Sequence, residues 1–474
     1  MMDAGSTNTT TRDAAIESVV PALSNRLRAL MTQQGVPGVA LGIVRDQALV
    51  WSAGFGYADI ASGRPLDEHT LFGVGSITKT FTALALMQLR DRGALALDDP
   101  VVRHIPEFAA VRSRHGRAQD VTIRALLTHR SGLAGEPPSG HWSSLQFPTL
   151  REILALLPRV EVVIEPASAF KYCNLGFALL GEIVERISGR PYSAYVQAEI
   201  LAPLGMTASG FDIEAVPHAH TATGHMSERY QDVPAVAPDP PLNGYAAVAG
   251  LRASVADLAR WAALQFRTRG DGSVPVLAGK SLGEMHRVSY VEPNWKTGYA
   301  MPWIGVRLGE NVYLSHMGSV PGFRSMLAFN KLHRIALIAL TNKQGHNVAA
   351  AIVFEALEML SARVTRDAPA RRAPPVPASP AYRAMLGRYV SEPTWGAILH
   401  IEYRGGALRL AAPPDPYSAP REAPAPLTPT DDAAVFVVDT GHYAGETLTF
   451  EYDPDGCVVA FVVGENGYRF RKTD

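Results

Sequence analysis

Residues 71–93 read LFGVGSITKTFTALALMQLRDRG. Within them, Ser76-Ile77-Thr78-Lys79 is an S-x-x-K at the start of a long apolar stretch that Gly93 closes. That pattern predicts a buried helix. On a helix, a three-residue step places Ser76 and Lys79 on one face, and the helix N-terminus adds unpaired backbone N–H groups beside the serine. A serine hydroxyl becomes a good nucleophile only when a neighbouring base takes its proton. A lysine amine, with an ordinary pKa of about 10.4, acts as that base only when desolvated or set near another cation. The apolar FTALALM segment behind Lys79 offers a dry wall. Taken alone, the tetrad also fits a serine N-cap followed by a solvated lysine, so the rest of the chain decides.

Upstream, Ile16, Val19, Val20, Leu23, Leu27 and Leu30 recur at three- and four-residue steps, an amphipathic helix over 15–33. GVALGIVRD and ALVWSAGFGYAD then read as an antiparallel hairpin. Downstream, VTIRALLTHRSGL, NLGFALLGEIVERISG and ASVADLARWAALQF are helical pieces in a middle region rich in Pro and Gly. Strand signals return in GYAMPWIGVRL, VYLSHMG, RSMLAFN and RIALIALTN, and AIVFEALEMLSARV follows as a helix. Strands open this region, helices fill its centre and strands close it. The expected fold is therefore α/β (α+β): an antiparallel sheet, its end strands paired, flanked by helices and carrying a helical subdomain. Residues 366–380 are a Pro-rich linker, and 381–474 turn to short strands separated by turn signals, a small all-β barrel. The expected domains are thus 15–365, 366–380 and 381–474.

Two further constellations change the weight of the S-x-x-K. Tyr172-Cys173-Asn174 precedes the helix NLGFALLGEIVERISG; its tyrosine is suited to relaying protons and its asparagine to binding a carbonyl or the lysine. His316-Met317-Gly318-Ser319 ends the strand VYLSHMG, where a glycine lets a substrate backbone lie close.

The order S-x-x-K, Y-x-N, H-x-G resembles the β-lactamase-related serine hydrolases: class C β-lactamases, penicillin-binding D,D-peptidases, D-aminopeptidases and esterases. LLTHRSGL, PLGMTASGF and GLRASVADLARW strengthen the resemblance, which covers about residues 20–360. Some members also carry a lipocalin-like C-terminal barrel, which 381–474 resembles. The resemblance implies that Ser76 forms an acyl-enzyme, that Lys79 and Tyr172 share its proton transfers, that Asn174 and His316 orient the substrate, and that the N–H groups of Ser76 and Ser319, beside Gly318, form the oxyanion hole. It implies small esters, amides or short peptides, D-configured ones included, as substrates. An acyltransferase using the same nucleophile, a non-turnover sensor and a weak β-lactamase side activity remain open alternatives. One departure matters. Penicillin-recognising members place Lys-Thr-Gly where this chain has His316-Met317-Gly318, and a neutral histidine suits a substrate carboxylate less than a lysine does.

Other motifs read as decoys. Lys296-Thr297-Gly298 lies 20 residues before His316, and Gly279-Lys280-Ser281-Leu282-Gly283 lacks the long strand that a nucleophile elbow needs. His218, His220 and His225 have no carboxylate or thiol at ligand spacing, so a surface loop is expected, with no metal and no cofactor. Cys173 reads as a small buried neighbour of Tyr172. A formal net charge of −1, with 44 basic and 45 acidic side chains, gives no field for nucleic acid or an anionic membrane. Two distant cysteines, a polar N-terminus and no apolar run near 18 residues lead to the expectation of a reduced, cytoplasmic protein. Its expected partners are a small-molecule or short-peptide substrate and, through the β-domain, a homo-oligomer.

Overall fold

The computed structural model describes residues 14–211, 220–227, 234–267, 276–367, 377–392, 398–411, 424–439, 443–464 and 468–473. The chain divides into two compact units, one ending at Asp367 and one beginning at Ala368.

In the first unit the opening hairpin is β1 (Gly38–Arg45) and β2 (Ala48–Asp59), followed by the short β3 (Arg64–Pro65). The chain returns to the sheet as β4 (Tyr290–Val291), β5 (Thr297–Tyr299), β6 (Ile304–Leu308), β7 (Asn311–Val320), β8 (Phe323–Asn330) and β9 (Ile335–Thr341). The nine strands lie in the order β4-β5-β6-β7-β8-β9-β1-β2-β3. The end strands do pair: β1 runs antiparallel to β9, with Val39 opposite Thr341 and Arg45 opposite Ile335.

Five helices set the layers: α1 (Ala14–Gln34), α2 (Thr78–Asp91), α3 (Asn174–Ser188), α4 (Val255–Leu264) and α5 (Val348–Asp367). Strand side chains alternate between faces. Val39, Leu41 and Ile43 therefore pack with Leu23 and Leu27 of α1 and Ile352 and Val353 of α5. Ala40 and Val44 join the opposite core with Phe81 of α2 and Leu258 and Trp261 of α4. With both faces covered, β1 is buried along almost its whole length, which explains its unbroken apolar reading.

Helix α2 runs through the centre of that second core, and Thr78 to Leu89 are all buried. Its threonines are tolerated there because each returns a hydrogen bond to a carbonyl: Thr78 to Gly75 at 2.7 Å, Thr80 to Ile77 at 2.7 Å and Thr82 to Ala247 at 2.7 Å. The second unit is a closed eight-stranded antiparallel barrel, β10 (Gly387–Glu392), β11 (Ile398–Arg404), β12 (Ala407–Ala411), β13 (Ala425–Pro429), β14 (Val435–Val438), β15 (Thr447–Tyr452), β16 (Val458–Val463) and β17 (Tyr468–Lys472). Tyr389, Ile401, Phe436, Phe450, Phe461 and Phe470 belong to its core. Closure leaves no free sheet edge. Among the described residues, no helix is long and apolar enough to cross a membrane.

Candidate active site

The helix starts two residues later than the sequence suggested. Ser76 sits in a 3₁₀ turn, Gly75–Ile77, and α2 proper begins at Thr78. From 71 to 80 every residue is buried except Ser76, which is half-buried. Gly75 adopts φ +55°, and a Cβ there would lie 2.5 Å from the backbone nitrogen of Ser319. Only glycine lets the turn and β7 approach this closely in that conformation.

Lys79 is fully buried. Its Nζ lies 2.9 Å from Ser76 Oγ and 3.1 Å from the carbonyl of Val248. The rings of Tyr172 and Phe177 are centred 5.0 and 5.7 Å from Nζ, so aromatic side chains join the FTALALM segment in drying the amine. Burial pulls the Lys79 pKa down to about 7, against the opposing pull of the Glu136 carboxylate.

Tyr172 keeps its ring edge open, at 36% exposure, but its hydroxyl is sunk beside Ser76. Burial raises its pKa above the ordinary range, against the opposing pull of the neighbouring Ser76 hydroxyl, so the group is a phenol at neutral pH. His129 holds this tyrosine in place. Its carbonyl accepts the Lys171 N–H at 2.8 Å, its Nδ1 accepts the Cys173 N–H at 3.0 Å, and its ring stacks on Tyr172 with centroids 4.3 Å apart. His129 itself takes φ +54° and is buried. Asparagine tolerates that backbone, so His129→Asn tests the clamp rather than the turn. The expected result is a loss of about tenfold to a hundredfold in kcat that largely vanishes when Tyr172 is already phenylalanine. Additive losses in the double variant would show that His129 does not act through Tyr172.

Cys173 caps α3: its Sγ accepts the Gly176 N–H at 3.2 Å and contacts the Ala134 carbonyl at 3.4 Å. Burial pushes the thiol up to about 11, so it stays protonated, in keeping with its reading as a buried neighbour. Asn174, the first residue of α3, gives its Nδ2 to Glu136 Oε1 at 2.6 Å. A carboxylate only accepts, so the amide orientation is fixed, and Asn174 Oδ1 is left buried with no partner among the described residues.

Glu136 is the centre of this corner and escaped the sequence reading. It also accepts from Tyr245 Oη at 2.5 Å and Trp142 Nε1 at 2.9 Å, with His141 Nε2 at 3.4 Å. The available signal was a carboxylate in the Gly/Pro loop directly after LLTHRSGL; no spacing rule singles it out.

On β7, His316 is buried, and its Nδ1 bonds the Met317 carbonyl at 2.9 Å. Its Nε2 has no partner among the described residues, and burial with the nearby Lys79 pushes its pKa down to about 3. His316 is therefore neutral. Gly318 is also required by the chain itself. A Cβ there would lie 1.9 Å from the Val74 carbonyl oxygen, so the chain's own turn comes close at this glycine. Ser325 Oγ donates to the same carbonyl at 2.7 Å, locking β8 to it. Ser319, next along β7, is thereby set against Gly75. The fold thus gathers Ser76, Lys79, Tyr172, Asn174, His316, Gly318 and Ser319 around one turn.

The decoys fall elsewhere. Thr297–Tyr299 is β5, whose Tyr299 stacks on Phe170 at 3.4 Å. Ser281 lies in the helix Gly279–Met285 and donates to Asp91 at 2.7 Å. His225 is buried with Nδ1 3.1 Å from the Asn342 carbonyl; His218 lies outside the described residues.

Comparison with known proteins identifies the family and the fold. The family model described as Beta-lactamase matches residues 23–358. The esterase EstB of Burkholderia gladioli is 37% identical over 209 residues, 42% of this chain and 52% of that protein. The solved octameric penicillin-binding protein homologue from Pyrococcus abyssi shares 24% identity at a TM-score of 0.63, over 95% of this chain and 100% of that one. The D-amino acid amidase from Ochrobactrum anthropi SV3 shares 25% identity at a TM-score of 0.60, over 73% and 100%. The chain spans 60% of the length of the curated protein flp of Staphylococcus aureus, 26% identical over 308 residues, and 52% of EstB. With the model matching well over half of its 474 residues, the chain belongs to the beta-lactamase family.

Proposed function

We propose that this protein is a serine hydrolase that forms an acyl-enzyme on Ser76 and acts on small esters, amides or short peptides. The observation that carries the reading is the 2.9 Å contact between Ser76 Oγ and a buried lysine amine whose pKa lies near 7. The free amine of Lys79 accepts the Ser76 proton as Oγ attacks the substrate carbonyl carbon. The negative charge that develops on the carbonyl oxygen is held by the N–H groups of Ser76 and Ser319, each such donor contributing about 3 kcal/mol in the transition state. The proton taken by Lys79 returns through the Tyr172 hydroxyl, sunk beside Ser76, to the leaving alcohol or amine as its bond to the acyl carbon breaks, so Tyr172 ends as a phenol. Water then attacks the ester on Ser76, giving up its proton through the same pair and releasing the acid. Asn174, oriented by Glu136, offers its amide to the acyl side. The esterase and amidase names among the relatives support an ester or amide substrate.

Incubation with a fluorophosphonate, followed by peptide mass mapping, tests the reading. The expected result is a single adduct on Ser76, blocked by prior incubation with a phenyl ester. An adduct on another serine, or none, would sink it. Acyl transfer is separated from hydrolysis by adding an alcohol acceptor and measuring the product ester.

A further inference from the structure

A cavity of about 480 Å³ opens beside the site between β7, β8 and the loop that carries Trp142. Ser319 lies on its wall, with Leu145, Met226, Arg324 and Gln344 among the other lining residues, and among the described residues no acidic side chain lines it. Arg324 is the first position on β8 after Phe323 and pairs directly with Ser319 across the ladder. Its guanidinium donates to the His346 carbonyl and touches Met317 Sδ at 3.5 Å. Its Nε is buried and without a partner among the described residues. Gln344 accepts the Gly322 N–H through Oε1 at 3.1 Å, which leaves its NH₂ for the cavity.

A half-buried guanidinium that faces a cavity with no carboxylate among its described lining residues is suited to a counter-ion. Its planar set of donors suits a carboxylate better than a point cation does. The position matters as much as the charge. His316 on β7 is neutral, so that strand brings no cation to the site, whereas Arg324 brings one from the neighbouring strand, level with Ser319. A ligand whose carbonyl oxygen rests at Ser319 can therefore place an anionic group in the cavity.

We propose that this cavity is an anion subsite, and that the esters or amides the enzyme prefers carry a carboxylate recognised by Arg324 and Gln344. The proposal rests on the reading of Ser76 as the nucleophile, because it assigns the substrate class of that same site.

Two matched pairs of esters test it: 4-acetoxybenzoate against its methyl ester, with the charge on the leaving group, and monophenyl glutarate against its methyl ester, with the charge on the acyl group. Wild type should favour the charged member of at least one pair. Arg324→Gln should lower kcat/KM for that charged ester about tenfold more than for its uncharged partner, and Arg324→Lys should restore part of the difference. Calorimetric binding of the same compounds to Ser76→Ala protein, with and without Arg324→Gln, keeps the two readings apart. If wild type hydrolyses none of the four esters, the nucleophile reading falls, while the titrations still decide the subsite. Equal effects of Arg324→Gln on charged and uncharged members, in both kinetics and binding, overturn the anion subsite.

Discussion

Lys79→Met should lower kcat on any ester substrate on the order of 10³-fold. Methionine keeps the length and apolar body of the side chain, so α2 and its buried surroundings are retained while the amine is lost. The size of the effect follows from the protonation state. With a pKa of about 7, half of the amines are free base at neutral pH; at the ordinary lysine value only roughly one in 3,000 would be. The same shift fixes the pH profile. The charged amine, present below the folded pKa, cannot take a proton, so kcat/KM should rise as pH climbs through about 7 and level off above it. Tyr172, whose pKa is raised, adds no second limb in the neutral range. A profile flat from pH 5 to 9, or a Lys79→Met enzyme within tenfold of wild type, would place the base elsewhere.

Gly318→Ala should cost about a hundredfold in kcat and slow fluorophosphonate labelling in parallel. The added Cβ would fall 1.9 Å from the Val74 carbonyl and 2.4 Å from Ser325 Oγ. Neither atom can yield easily, because one is backbone and the two are bonded to each other at 2.7 Å. The strand must then back away from the turn and carry Ser319 with it. Overpacking of this kind also costs about 1–3 kcal/mol of stability, so a modest fall in Tm is expected alongside the kinetic loss. Wild-type labelling rates with a lowered Tm would mean that the spacing between β7 and the Ser76 turn does not govern the chemistry.

Most of the architecture was legible because its signals are local. The hairpin 38–59, the buried α2 with its apolar FTALALM run and the amphipathic α1 each announce themselves within a window of about twenty residues. The barrel was legible from its turns. The S-x-x-K, Y-x-N and H-x-G triplets could be linked because each has a recognisable short pattern. What escaped had no pattern of its own. Glu136 matters because four side chains from three separate stretches meet on one carboxylate. His129 sits in LLTHRSGL without a catalytic pattern of its own, and only its two backbone bonds and its stacked ring tie it to Tyr172. Arg324 was hidden in a strand whose alternation reads as sheet, since the cavity it faces is made by residues from 142 to 345. Gly318 stands in a short pattern, but its close neighbour, the Val74 carbonyl, lies more than 240 residues away in the chain and no pattern points to it.

The pairing of β1 with β9 has a consequence for the order of events during synthesis. Ser76 and Lys79 are made early, yet the strand that sets Ser319 beside them is held through β8 and β9 to a hairpin from the opposite end of the domain. A growing chain that has not passed Thr341 cannot close this sheet, and contacts so distant in sequence form late. The protein emerging from the ribosome therefore carries Ser76 and Lys79 for some 260 residues before the sheet that sets Ser319 beside them can close.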